Sequence, residues 1–227
     1  MFFWPTLLQL CAAGADVSVL CLSTGNFDGL GATRKEEMCR SCARLRIGPK
    51  NLDILDLDSL QDGFWAWPED VIAARVREFI RTRGVGLVLT FDGIGVSGHP
   101  NHISTSLGVR RACDICAVEG SSSFEVLLLE SAPLPWKYFG WLCIWADAFR
   151  ERADAARCTC RSPLACLRAL ACHWSQLVWY RVLFTLFSRY AFVNTYVRHV
   201  PPTAAPAEPA QEAEDAAPGA LRQRRKQ

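Results

Sequence analysis

The chain has 227 residues, with 25 Lys and Arg against 23 Asp and Glu, for a formal net charge of +2. That balance excludes a dedicated nucleic-acid binder, which carries a marked basic excess; half the residues are hydrophobic, enough for the core of one ordinary domain. Eleven cysteines in a chain of this length do not make a small disulfide-stapled scaffold, and their apolar helical surroundings predict buried, reduced thiols.

Pro5–Ala13 reads as a short apolar helix ending at Gly14. The run MFFWPTLLQLCAAG has no positive flank, and Pro5 and Gln9 break it, so it is not expected to act as a signal peptide. Val17–Leu22 is a continuous apolar strand, followed by the Gly-rich loop Ser23–Gly31. Thr33 and Glu36 form a capping-box pair for a helix that runs to about Leu45 and stops at Gly48-Pro49. Leu52–Leu57 is a second strand, with Asp56, Asp58 and Asp62 at or beyond its end.

Pro68–Arg83 predicts a helix with acids in its first turn, arginines in its last and Gly84 after it. Val71, Ile72, Val76, Phe79 and Ile80 give its apolar stripe. Gly86–Phe91 is a strand apolar on both faces, as parallel strands covered by helices are. Asp92 closes it, and the loop Gly93–Gly98 leads into SGHPNHIS. A helix is expected from about Asn101 to Cys113, and a further strand over Phe124–Leu129.

Alternating strands and helices predict a Rossmann-like, doubly wound α/β fold, with a mainly parallel sheet and helices on both faces. Ligands of such sheets bind beyond the carboxyl ends of the strands, where the loops Ser23–Gly31, Asp56–Asp62 and Asp92–His102 all emerge. Beyond Ser131, Leu134–Phe149 and Leu164–Phe192 are dense in aromatics, and Arg168, Arg181 and Arg189 punctuate the second. Two readings stand open: helices lying in a membrane interface, or helices packed on the sheet with snorkelling arginines. Residues 1–200 are expected to make one domain, and 201–227, rich in Pro, Ala and Glu with a basic end, a disordered tail.

Cys39/Cys42 and Cys113/Cys116 are C-x-x-C pairs, too far apart for a zinc ribbon and expected simply to pack on helix faces. Asp58 and Asp62 rank as solvated loop carboxylates ahead of sugar binders, and His173 as a satisfied helix-surface histidine. Asp92 reads as the partner of an imidazole in preference to a loop cap.

TFDGIGVSGHPNHIS resembles the de-N-acetylases that act on N-acetylglucosaminyl-phosphatidylinositol in GPI-anchor assembly, within the wider LmbE-like deacetylases. LCLSTGNFDGLGATRKEE and CHWSQLVWYRVLFTLFSRY are similar to further family segments, the last to the C-terminal helix of eukaryotic members. The resemblance implies that His102 binds zinc, that His99 stabilises the oxyanion formed when water attacks the acetamide, that Asn101 orients an imidazole beside the substrate, and that Arg34 contacts the polar head of the substrate. It implies a glycolipid substrate, contact with a membrane surface, no nucleic acid, and a place at the cytoplasmic face of the endoplasmic reticulum membrane. The chemistry suits these residue types: a cation polarises a poorly electrophilic amide, and a protonated ring nitrogen meets the developing negative charge.

The family's His-Pro-Asp-Asp-Glu motif, which implies two more zinc ligands and the general base, is not in this sequence. The expectation is an N-terminally truncated chain without the first central strand, holding zinc poorly and impaired as an enzyme. The alternative is a non-catalytic paralogue that binds a membrane or a partner.

Overall fold

The computed structural model describes residues 2–121, 124–140, 142, 155–160 and 163–202. The expected tail 201–227 beyond residue 202, and most of the aromatic stretch Leu134–Phe149 beyond Gly140, lie outside them. Helix α1 (Trp4–Ala12) leads to strand β1 (Val19–Cys21), α2 (Gly31–Arg44) and β2 (Leu52–Ile54). Then come α3 (Glu69–Arg83), β3 (Leu87–Phe91), the single turn α4 (Gly95–Gly98), α5 (Pro100–Glu119) and β4 (Glu125–Leu129). The C-terminal part holds α6 (Leu134–Lys137), β5 (Ala155–Thr159), α7 (Pro163–Leu170), α8 (Trp179–Phe187) and β6 (Val193–Arg198).

The fold is Rossmann-like mixed α/β. β1 and β2 pair in parallel across α2, as do β3 and β4 across α5. Among the described residues the strands stand in two groups: β1–β2 as one pair, and β3-β4-β6-β5 as a four-stranded sheet in which β6 runs antiparallel to both neighbours. The N-terminal residues reach both groups. Phe2 and Phe3 pack with Leu89 and Phe91, while Trp4, Leu7 and Leu8 pack with Val19 and Leu52.

The largest core lies where α3 and α5 cross. Ile72, Ala73, Val76 and Ile80 meet Val109, Ala112, Cys113 and Cys116 over Val126 of β4. Gly108 is required there, because a Cβ would stand 2.5 Å from the Ile72 side chain. Cys42, Cys113, Cys116 and Cys166 are buried free thiols, so the two C-x-x-C pairs serve packing, apart from the exposed Cys39.

Two expectations are corrected. The capping box is not used: α2 begins at Gly31, two residues before Thr33, and its first amide donates to Asn26 Oδ1 at 2.8 Å. The second aromatic stretch is not one helix but α7, a turn at Trp174–Gln176, α8 and a turn at Arg189–Ala191, followed by β6. What fixes the return into the sheet is a buried polar knot. Thr6 Oγ1 donates to Asn194 Oδ1 at 2.8 Å and lies 2.7 Å from the Tyr196 hydroxyl, and Asn194 Nδ2 donates to the Phe2 carbonyl at 2.9 Å. Buried polar groups must find partners, and β6 supplies them for α1.

Candidate functional site: two imidazoles at a strand tip

β3 ends at Phe91, and Asp92 turns the chain. Asp92 Oδ1 accepts from the amides of Ile94 (3.1 Å) and Gly95 (3.0 Å) and from Ser131 Oγ (2.6 Å), while Oδ2 accepts from the Ser131 amide at 2.7 Å. The next residues are tightly held. Gly95 takes φ 64°, and a Cβ on it would stand 2.9 Å from His102 Cβ. Val96, β-branched and buried, sits at φ 65°, a strained conformation for such a residue. Its amide donates to Ser131 Oγ at 2.8 Å and its carbonyl accepts from the buried Lys137 Nζ at 2.9 Å.

His99 is the N-cap of α5, and Pro100 follows at the first helical position. The Asn101 amide donates to His99 Nδ1 at 3.3 Å. An accepting Nδ1 puts the ring proton on Nε2, so His99 offers a donor. His102, one turn along, lies 3.1 Å through Nδ1 from the Gly95 carbonyl. A carbonyl only accepts, so Nδ1 carries the proton and Nε2 keeps its lone pair. The ring stacks on Phe91 with centroids 4.2 Å apart, and burial pushes its pKa below the ordinary value, keeping it neutral at pH 7. The two rings, 5.2 Å apart by centroid, thus present one donor and one acceptor.

The other wall comes from the loops after β1 and β2. Trp67 Nε1 donates to the Gln61 carbonyl at 2.8 Å and the Trp67 amide to Ser104 Oγ at 2.9 Å, pinning the second loop to α5. Asp62 Oδ1 thereby accepts from Asn101 Nδ2 at 3.1 Å, and Oδ2 lies 3.9 Å from Arg34 Nη1. Arg34 also donates to the Gly25 carbonyl and to Asp28 Oδ2. These groups border one cavity of about 600 Å³, within the usual range of small-molecule sites, roughly 300–1,000 Å³.

His99, His102, Asn101 and Arg34 are therefore brought together as the sequence leads one to expect. Among the described residues no hydrogen bond joins Asp92 to an imidazole: it caps the loop and reaches His102 at one remove, through Gly95. Asn101 holds Asp62 with its side chain and orients His99 with its backbone. Asp62, ranked low from sequence, stands in the cavity, as do His173 and Arg181. No spacing in the sequence links those three to SGHPNHIS.

His102 Nε2 meets the requirement of a metal ligand, a neutral imidazole whose other nitrogen is anchored to a carbonyl. A catalytic zinc takes about three protein ligands, and no group of three His, Cys, Asp or Glu able to hold a metal occurs among the described residues. This described donor set does not fit a resident zinc.

His173 belongs to a second buried group. Glu37, 1% exposed, accepts from the Ser175 amide and from Ser175 Oγ, both at 2.7 Å. Burial opposes the Glu37 charge, but these bonds and nearby cations outweigh it and the pKa falls. For His173, burial is the main cause of a pKa lowered from 6.5 to about 4. Above pH 6.5 both folded and unfolded forms are neutral, and between 6.5 and about 4 only the unfolded chain takes up the proton. Stability is therefore expected to fall with pH across that window. The slope of urea midpoint against pH should be shallower in His173→Gln by up to about one proton; equal slopes would disprove the assignment.

The family PIG-L, described as GlcNAc-PI de-N-acetylase, matches residues 1–113. An N-acetylglucosaminyl-phosphatidylinositol de-N-acetylase of Bos taurus is 36% identical over 198 residues, covering 86% of this chain and 77% of its own. Among solved structures, the N,N'-diacetylchitobiose deacetylase of Pyrococcus horikoshii superposes with a TM-score of 0.59 at 15% identity, covering 88% of this chain and 81% of its own. The zinc-inhibited form of teicoplanin deacetylase Orf2 gives a TM-score of 0.57 at 16% identity, covering 87% and 93%. These two likenesses bear on the fold, and the long bovine match bears on the lineage: the chain belongs to the N-acetylglucosaminyl-phosphatidylinositol de-N-acetylase family.

Proposed function

We propose that the chain works on N-acetylglucosaminyl-phosphatidylinositol, removing acetate by hydrolysis, the activity that the bovine relative's name describes. The observation that carries this reading is the complementary pair of imidazoles at the cavity: a ring N–H on His99 and a free lone pair on His102. Amide hydrolysis needs both. Water adds to the acetamide carbon, and its oxygen becomes negative where His99 Nε2–H can donate. The water proton goes to an acceptor, which hands it on to the amine nitrogen as the C–N bond breaks. His102 Nε2 is the neutral acceptor the chain itself supplies. Arg34 and Asp62 provide a charged wall for sugar hydroxyls, with Asn101 holding Asp62 in place.

The family reading includes a divalent cation, and a zinc-inhibited deacetylase shares the fold. Among the described residues His102 would be its single evident ligand, which favours a second reading, a paralogue that binds the glycolipid without turning it over. The test is acetate release from a short-chain N-acetylglucosaminyl-phosphatidylinositol by the purified chain, with and without added zinc, beside a binding measurement on the same ligand. Turnover that requires His99 supports the hydrolase. Tight binding with no turnover supports the second reading, and the absence of both sinks the first.

We further propose that the protein acts on the cytoplasmic face of the endoplasmic reticulum membrane. No helix among the described residues is long and apolar enough to cross a bilayer. Supporting surface contact, Trp174 and Trp179 are each 74% exposed, and Tyr180, Leu183 and Phe187 are exposed beside them, the composition of an interfacial segment. Replacing Trp174, Trp179 and Phe187 with serine is expected to lower partition onto phosphatidylinositol-containing vesicles by about tenfold or more, measured by sedimentation; undiminished partition would rule this surface out.

A further inference from the structure

The charges that line the cavity do not balance. Arg34, Lys35 and Arg181 line it, against Asp62 as the one lining carboxylate among the described residues. Asp62 and Asp28 are both engaged with Arg34. Lys35 and Arg181 pair with no carboxylate among the described residues; Arg181 is held by Gln176, with Nη1 donating to Oε1 at 2.6 Å. A guanidinium steered by a neutral amide keeps its full charge for something else.

His173 lines the same cavity from the same C-terminal segment, close enough to Arg181 for the two to interact electrostatically. Its Nδ1 is buried and has no hydrogen-bond partner among the described residues. Buried polar atoms are normally satisfied, so an orphan beside an unpaired guanidinium points to a ligand oxygen. The carboxylate near it is not free to serve, because Glu37 uses both oxygens on Ser175. Arg40 adds a further cation near the same group.

We propose that Arg181, with His173 and Lys35, forms an anion subsite of this cavity that takes the phosphodiester joining inositol to the lipid. This rests on the reading that the cavity binds N-acetylglucosaminyl-phosphatidylinositol. It gives the C-terminal segment a task in substrate selection: sugars carrying a phosphodiester are retained, and phosphate-free glycosides are not. Arginine suits that task, since its planar fork matches phosphate oxygens in pairs.

The probes are glycerophosphoinositol, myo-inositol, inorganic phosphate and N-acetylglucosamine, titrated by calorimetry against the whole chain. Glycerophosphoinositol is expected to bind at least about tenfold more tightly than myo-inositol. Arg181→Gln and, independently, Lys35→Gln on the exposed face of α2 should each remove most of that preference, and Arg181→Lys should restore part of it. N-acetylglucosamine binding should be unchanged in all three. Loss of affinity for every probe alike would mean that Arg181 is only structural and would overturn the subsite. So would an unchanged preference in both charge-removing variants, or inorganic phosphate binding as tightly as glycerophosphoinositol. If N-acetylglucosamine fails to bind while the phosphodiester preference and its loss are seen, the subsite stands and the deacetylase reading fails.

Discussion

The His99→Asn protein is expected to release acetate about 10²–10³-fold more slowly than the unchanged chain, in kcat more than in KM, while melting within about 2 °C of it. The choice of asparagine matters. His99 does two jobs: its Nδ1 caps α5 by accepting from the Asn101 amide, and its Nε2–H is the donor offered to the cavity. Alanine would remove both, and a lost N-cap alone costs about 1 kcal/mol. Asparagine is among the best N-caps, so it keeps the helix start and deletes only the donor. A donor aimed at the oxyanion acts in the transition state, which is why kcat should carry the loss. An asparagine variant that turns over normally would show that His99 is no more than a cap. A fall in melting temperature as large as that of His99→Ala would show that the capping assignment is wrong.

How much of this was legible beforehand follows from how local each signal is. α3 was readable because its acids, arginines, stripe and Gly84 all lie within its own length. His99 and His102 were readable because they share one helical turn. β6 was not, because Val193–Arg198 follows an aromatic run with no glycine or proline between Leu164 and Val200 to mark a break. Its strand state depends on pairing with β4 and β5, and on Thr6, 188 residues before Asn194. Asp62 is hard to single out for a similar reason: in sequence it is one loop carboxylate among several, and only the docking of Trp67 on Ser104 carries it to Asn101. His173 read as a surface histidine because its neighbours in sequence are polar or exposed, whereas its neighbours in space are Glu37 and the cavity.

The same distinction between near and distant partners governs the second large effect. Asp92→Ala is expected to lower stability by about 3–4 kcal/mol, close to 10 °C in melting temperature for a chain of this size. One carboxylate receives four hydrogen bonds from two segments, Ile94–Gly95 and Ser131. Alanine leaves those donors unsatisfied, and unmet donors cost more than the bonds they lose. Asp92→Asn should be milder by about half, since its remaining oxygen still serves the Ile94–Gly95 turn while its amide cannot accept from the Ser131 amide. The site should suffer beyond what unfolding explains. The Asp92–Ser131 clamp holds Val96 at a positive φ, a conformation that costs about 1–3 kcal/mol and persists only while its surroundings enforce it. Once the clamp is gone the loop relaxes, the Gly95 carbonyl leaves His102 Nδ1, and the ring is free to exchange tautomers. The Asp92→Ala protein should thus lose activity at temperatures where circular dichroism finds it fully folded, and NMR of the His102 ring should show both nitrogens protonated in turn. Full activity below its own melting transition would mean that the strained turn serves packing alone.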